Sequence, residues 1–426
     1  MTSKSLSQWL AYLEQLHPSE IELGLERIRK TGERLQVLEP APLVITVTGT
    51  NGKGSTGAML AGRVQSQGLR IGLYSSPHFL RYNERIQING NPVADEHICT
   101  AFTQVEQARA DTSLTYFEFG TLAALWIFRQ AGLDAVILEV GLGGRLDAVN
   151  VVEPDIAVIT TIALDHADWL GDSIEQVAAE KAGIMRAGKP LVCGQLQPPA
   201  NLLALAKEHG ASLYLRGRDF DIYPGTDSWC WQGLEHGDTL RLEALPQLSL
   251  PLENAAVALQ VLALLDLPWQ PAVIRESLRS TRMTGRLQQL DFSYAGKTCN
   301  LLLDVAHNPQ AAEYLAGRLQ ERPVTGRRLA VFGALTDKDV QSVVAAMVTQ
   351  IDAWAAAPLP SSRSCDPQKL EQLLQQASAQ YQVFPDIVLA LEHQLAQATP
   401  ADQIVVFGSF FTVAQVLDYI STQVEA

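Results

Sequence analysis

Short runs of apolar and β-branched residues recur along the chain, most ending in glycine or a polar residue and leading into apolar positions at helical spacing. The clearest is Leu43–Thr48 (LVITVT), which predicts a strand buried on both faces. Gly49–Ser55 (GTNGKGS) follows, and a helix is predicted from about Ser55 to Gly68. Further strands are predicted at 69–76, 135–139, 156–166 and in PLVCG (190–194). Helices are predicted at 96–110, 116–130, 173–190 (with Lys181 near the middle), 202–209 and 251–265. Two amphipathic helices occupy Ser5–Leu38, whereas 214–245 is less regular and carries aromatics. A second unit begins near Asp291 after a linker around 285–297. It has strands ending at Asp304–His307 and within 327–335, 351–359 and 402–410, and helices opening at Pro309 and spanning 339–350, 367–378 and 412–421.

Such alternation predicts an α/β protein: a P-loop-containing, mainly parallel sheet domain at 1–287, then a smaller Rossmann-like α/β domain at 288–426. Charge and cysteines narrow the partners. A net charge of −14 disfavours nucleic acid, whose binding needs clustered Lys and Arg. The N-terminus has no signal-peptide core, and no uncharged apolar run approaches the ~20 residues that span a bilayer. The five cysteines are scattered without CxxC spacing, suggesting neither zinc nor disulfides, so a cytoplasmic setting is expected.

The chemistry concentrates at the ends of the predicted strands, where ligands gather in open α/β sheets. A strand, a glycine loop with Lys53 and a helix aim N–H groups and a helix N-terminus at a polyphosphate; the Ser55 hydroxyl is a candidate magnesium ligand. Gly54 separates Lys53 from Ser55, so the loop departs from the usual Gly-Lys-Ser/Thr ending. A carboxylate ending a buried strand is costly unless paired or bound to a cation, which makes Glu139 a candidate metal ligand or water holder. Asp165-His166 and Ser75-Ser76 end two more strands, though simple turn residues explain the serines equally well.

Eight elements occur in order: GTNGKGS, SSPH, LEVGLGGRLDA, ALDH, EKAGI, ENAA, GR and DVAHNP. Together they resemble the Mur ligase superfamily. ELGLER (22–27) and SLTYFEFGT (113–121) point to its folate branch, the bifunctional dihydrofolate/folylpolyglutamate synthases. That resemblance implies an ADP-forming ligase that phosphorylates the carboxylate of dihydropteroate and joins L-glutamate to it, then extends reduced folates. ATP and Mg²⁺ are the implied cofactors, with K⁺ as a further candidate, and a monomer is the family-based expectation.

By resemblance, Thr50, Asn51, Gly52, Lys53, Gly54 and Ser55 form the ATP loop, with Asn254, Arg286 and Asp304 as further nucleotide contacts. Ser76, Glu139 and His166 match magnesium ligands, and Lys181 matches a lysine that becomes carbamylated. Lys53, Lys181, His166, Asp304 and His307 are the implied catalytic set. Glu22, Leu23, Gly24 and Leu25, with Thr115, Tyr116, Phe117 and Glu118 and with Leu146, Asp147 and Ala148, match the dihydropteroate site. Met283-Thr284 departs from the family, which often has proline before the Gly-Arg pair. Two other readings share the nucleotide loop. One is a Mur-type ligase acting on a UDP-linked peptidoglycan precursor, and the other a regulatory P-loop NTPase, disfavoured by the absence of an NKxD-type motif.

Overall fold

Leu43–Thr48, the strand that leads into the glycine loop, becomes a central strand of the first of two compact units, Met1–Thr281 and Arg282–Ala426, in a computed structural model that describes residues 4–19 and 21–424. The first unit is built on eight strands: β1 (Leu43–Thr48), β2 (Ile71–Tyr74), β3 (Ile86–Ile88), β4 (Asn91–Pro92), β5 (Ala135–Glu139), β6 (Ile156–Ile159), β7 (Pro190–Cys193) and β8 (Ser212–Leu215). Their order is β4-β3-β2-β5-β1-β6-β7-β8. All pairings from β2 to β8 across the sheet are parallel; β3 and β4 add an antiparallel edge hairpin. From β1 the chain moves to β2 on one side, and from β5 it crosses to β6 on the other. The carboxyl ends of β5, β1 and β6 therefore meet at the switch point of the sheet, where open α/β proteins form their ligand crevice.

Helices Leu6–Leu16, Glu26–Leu35, Asp95–Arg109 and Tyr116–Ala131 bury their apolar faces in one core with Val136 and Leu138 of β5. Aromatic edges set that packing: Phe102 and Phe119 lie 5.5 Å apart, T-shaped, with Trp9 against both. Ser5 and Thr115 close reciprocal capping boxes with Gln8 and Glu118, which fixes where the first and fourth of these helices begin.

Several elements differ from the sequence expectation. β6 stops at Ile159 rather than at Asp165-His166: backbone bonds to β1 and its loop continue only as far as Thr161, where the Thr160 and Thr161 hydroxyls turn to the glycine loop. Lys181 sits one residue from the end of helix Ile174–Ala182, not near its middle, since the helix yields to Gly183. The irregular stretch 214–245 holds the end of β8 and a three-stranded antiparallel sheet of β9 (Asp221–Pro224), β10 (Trp229–Glu235) and β11 (Asp238–Leu245). A register shift between Trp229 and Trp231 breaks the period-two pattern that would announce it.

The second unit adds β12 (Gln288–Tyr294), β13 (Lys297–Leu303), β14 (Arg328–Phe332), β15 (Ala353–Ala356), β16 (Tyr381–Val383) and β17 (Gln403–Phe407), ordered β12-β13-β17-β14-β15-β16. Only β12 is antiparallel, so the segment expected to be a linker is mostly a hairpin strand. Strand β16 and helix Ile387–Gln397 were not expected; the strand has only three residues, while the helix carries an Asp386 N-cap and an apolar face of Ile387, Ala390, Leu391 and Leu395. Phe332, Trp354 and Phe407 from three neighbouring strands pack ring to ring at 5.0–5.5 Å in this core. Among the described residues, no helix is long and apolar enough to cross a membrane.

Candidate active site

β1 delivers the chain into a loop that only glycine can trace at two points. Gly49 and Gly52 have φ of 149° and 91°. A Cβ on Gly49 would lie 1.8 Å from the Thr160 hydroxyl, and one on Gly52 would lie 2.5 Å from Asn254 Oδ1. Helix Lys53–Gln65 starts directly after the loop, two residues earlier than expected. Lys53 folds back over the loop, its Nζ donating to Gly49 O at 3.0 Å and Thr50 O at 3.4 Å. An ammonium and a helix N-terminus thus share one small loop, a setting suited to phosphate. Ser55 is buried; its hydroxyl donates to Gly52 O at 3.1 Å and accepts from Asn254 Nδ2 at 2.7 Å. These two bonds use the Ser55 proton and one of its two lone pairs, and they tie the loop to Asn254 of helix Leu252–Ala263.

Register places Glu139 opposite Val47, next to the start of the loop. Glu139 is buried, and Ser76 N–H donates to its Oε2 at 3.4 Å, bringing these two predicted metal ligands to one edge. His166 stands in the left-handed region (φ 54°) with Asp165 beside it, ring to carboxylate 3.9 Å apart. Among the described residues no three His, Cys, Asp or Glu side chains cluster as a metal cage. Mg²⁺ does not require one: it keeps waters and takes one or two carboxylates plus substrate phosphates. A single buried carboxylate beside the phosphate-type loop fits that ion.

Lys181 is only 2% exposed. Burial first and the like charge of Lys53 second push its amine down to about 7, against the pull of Asp165 and Asp147. Asp147 is also buried, and burial raises its carboxyl to about 6 even though Leu142 and Val149 N–H groups donate to it at 2.8 and 2.9 Å. Asp147 thereby shapes the turn that carries Leu146 and Ala148.

The three segments matched to dihydropteroate converge within this unit. Gly24 N–H donates to Leu146 O at 3.2 Å, joining the first segment to the third. Arg27 joins the first to the second: its guanidinium pairs with the Glu22 carboxylate, donates to Glu22 O at 2.8 Å and reaches Glu118 Oε1 at 3.2 Å. Glu118 in turn accepts from Thr115 N–H at 2.8 Å. Phe117 packs near Tyr74, ring centroids 6.0 Å apart, and a Cβ on Gly141 would lie 2.6 Å from its ring. Tyr116 lies under the Arg85 guanidinium at 5.8 Å.

Asp304, Arg286 and His307 gather separately in the second unit, past the end of β13. The buried Asp304 accepts N–H groups of Leu287 and Ala306, both at 2.9 Å; burial raises its carboxyl, and Arg286 opposes that rise. His307 Nδ1 lies 2.8 Å from Val305 O, so that nitrogen carries the proton. Arg286 lies 5.3 Å from the Phe410 ring, with His307 on the same ring at 6.2 Å.

Comparison with known proteins bears on both units. The Mur ligase middle domain matches residues 47–198, and the Mur ligase glutamate ligase domain matches 285–410. The chain is 43% identical to the dihydrofolate synthase/folylpolyglutamate synthase of Escherichia coli K12 over 418 residues, covering 98% of this chain and 96% of that one. The chain belongs to the dihydrofolate synthase/folylpolyglutamate synthase family. Among solved structures of that family, Escherichia coli FolC in complex with DHPP and ADP matches with TM-score 0.92 at 43% identity, 99% of each chain covered. A bifunctional folylpolyglutamate synthase/dihydrofolate synthase with Mn, AMPPNP and L-glutamate bound matches with TM-score 0.90 at 44% identity, 98% of each chain covered.

Three contributors to this synthase fold escaped the sequence reading: Arg27, Thr160 and Thr161. Arg27 lies inside the quoted ELGLER element, yet its partner Glu118 is 91 residues away and no local pattern links them. Arg27→Met is expected to cost about 3 kcal/mol by stranding the buried Glu118 carboxylate, and adding Glu118→Gln to recover most of that loss. Urea unfolding of the two single variants and the double variant measures the coupling; additive losses would contradict the ion pair's role.

Proposed function

We propose that this chain joins L-glutamate to dihydropteroate at the expense of ATP, forming dihydrofolate, and adds further glutamates to reduced folates. The convergence of Glu22–Leu25, Thr115–Glu118 and Leu146–Ala148 beside a Lys53-bearing phosphate-type loop carries this reading. The full-length similarity to enzymes named for that reaction supports it, as do relatives' structures with DHPP, ADP, AMPPNP, Mn and L-glutamate. The same similarity favours a folate acceptor over a UDP-linked peptidoglycan precursor. All five cysteines are free, which suits a reducing cytoplasm. We take the enzyme to work there as a monomer.

In the first step a carboxylate oxygen of dihydropteroate attacks the γ-phosphorus of ATP. The bond to the β–γ bridging oxygen breaks, and ADP leaves. In the second, the neutral amine of glutamate attacks the acyl carbon; phosphate departs with the former carboxylate oxygen, and the amine proton is lost. No side-chain nucleophile is needed, so catalysis rests on positioning and charge neutralisation. Loop N–H groups and Lys53 would hold the phosphates, with Arg286 and Asp304 assigned as further nucleotide contacts. Ser76, Glu139 and His166 would hold Mg²⁺, which supplies positive charge to the transferring phosphoryl group. The Arg27-linked segments would hold the pterin end of the acceptor.

Lys181 is assigned to carbamylation. A neutral amine adds to CO₂ through its lone pair and releases a proton, turning a buried cation into a carboxylate opposite Lys53. Because the folded amine sits near 7, well below an exposed lysine, the reactive form gains as pH rises through that value.

Two measurements follow. ADP release should require both dihydropteroate and L-glutamate, with a product heavier by one glutamyl unit; release indifferent to both would contradict the ligase reading. With ¹³C-bicarbonate, a carbamate carbon signal should grow as pH rises from about 6 to about 8 and vanish in Lys181→Ala. A signal that persists in the variant would remove Lys181 from this role.

A further inference from the structure

The sheet pairing between β1 and β6 does not end with the strands. Thr160 N–H donates to Thr48 O and Thr50 N–H to Thr161 O, both at 2.9 Å, so the ladder runs on into the glycine loop. Beyond that point side chains replace backbone. The Thr161 hydroxyl accepts from Asn51 N–H at 2.9 Å and donates to Asn51 O at 3.0 Å, satisfying both backbone groups of one residue. The Thr50 hydroxyl does the reverse, accepting from Ala163 N–H and donating to Ala163 O, each at 3.0 Å. Thr160 Oγ1 adds a donor to Asn51 O at 2.6 Å, and Gln195 Oε1 accepts from Ile162 N–H at 3.0 Å on the other side. Residues 160–163 are therefore fastened to the nucleotide loop on one side and anchored on the other. The next residues are Leu164, Asp165 and His166.

We propose that Thr161 is a positioning residue that fixes the shape of the nucleotide loop through Asn51 and couples it to the placement of His166. This deepens the ATP-dependent reading and rests on it. A hydroxyl is the smallest group that can both donate to a carbonyl and accept from an N–H, so it can replace a strand residue at a point where the chain must turn away. Fixed loop N–H groups meet a phosphate without first having to order. Because the reciprocal brackets run in both directions, order imposed on the loop by a nucleotide reaches residues 163–166, and order imposed at His166 by a cation reaches the loop. Nucleotide and cation should therefore strengthen one another's binding, and the bracket should carry part of that mutual effect.

Valine matches threonine in shape but can neither donate nor accept, whereas serine keeps the hydroxyl. The probe is the fluorescent nucleotide mant-ADP, titrated onto the full chain in EDTA and in Mg²⁺, with dihydropteroate binding as the control. In Thr161→Val the Kd for mant-ADP in Mg²⁺ should weaken roughly tenfold, because the half-buried Asn51 N–H loses its acceptor while Asn51 O keeps only the Thr160 hydroxyl. The ratio of the EDTA and Mg²⁺ dissociation constants should fall towards one, Thr161→Ser should stay close to wild type, and dihydropteroate affinity should hold in both variants. Unchanged mant-ADP binding in Thr161→Val would overturn the proposal. Equal weakening with and without Mg²⁺, a serine variant as impaired as the valine variant, or a matching loss of dihydropteroate affinity would each do the same. A wild-type chain that binds no mant-ADP would instead contradict the ligase reading on which the proposal stands.

Discussion

Past the carboxyl end of a parallel strand the ladder soon runs out, and in this chain the residues from Gly49 to Ser55 must find other backbone partners while leaving N–H groups for a ligand. Glycine solves half of the problem. Gly49 and Gly52 let the loop pass within contact of Thr160 and Asn254, where any side chain would collide. Hydroxyls solve the other half: Thr50, Thr160 and Thr161 bind backbone past the end of the strand pairing, and Ser55 binds Gly52 O at the start of the helix. The loop is held from three directions, by β6, by the residues after it and by Asn254, and the phosphate-type site follows from that constraint.

Charge is arranged on the same framework. Glu139 reaches the loop because register sets it opposite Val47. Lys53 is drawn over carbonyls, and its field helps to hold the buried Lys181 amine near neutrality, a state an exposed helix lysine would not reach. Each of these groups is costly to bury alone. Their grouping at the switch point of the sheet is better explained by chemistry on an anionic substrate than by stability.

Much of this was legible in the chain. β1, β5 and β7 are runs of mostly apolar and β-branched residues, so burial on both faces announced them, and the glycines named the loop. Glu139 stood out because a carboxylate ends a run that is otherwise wholly apolar. What could not be read were relations between distant segments. Thr160 and Thr161 are β-branched and look like two more strand residues; only the loop they face makes them brackets. Arg27 is one arginine among several on an amphipathic helix until Glu118 is brought to it. The antiparallel sheet at 221–245 was obscured by its bulge and by strands with exposed polar positions. Lys181 gave no local sign of burial; its assignment came from resemblance, and the structure supplies the physical reason for its altered acidity.

Carboxylate activation is the central step: a framework built to position phosphates should move phosphoryl to the acceptor's carboxylate, not to water. Dihydropteroate labelled with ¹⁸O in its carboxylate tests this directly, with the released phosphate analysed by mass after turnover with ATP and L-glutamate. Each amide formed should leave one former carboxylate oxygen in the phosphate, so labelled phosphate should match product. Phosphate without label, accompanied by amide formation, would contradict carboxylate activation.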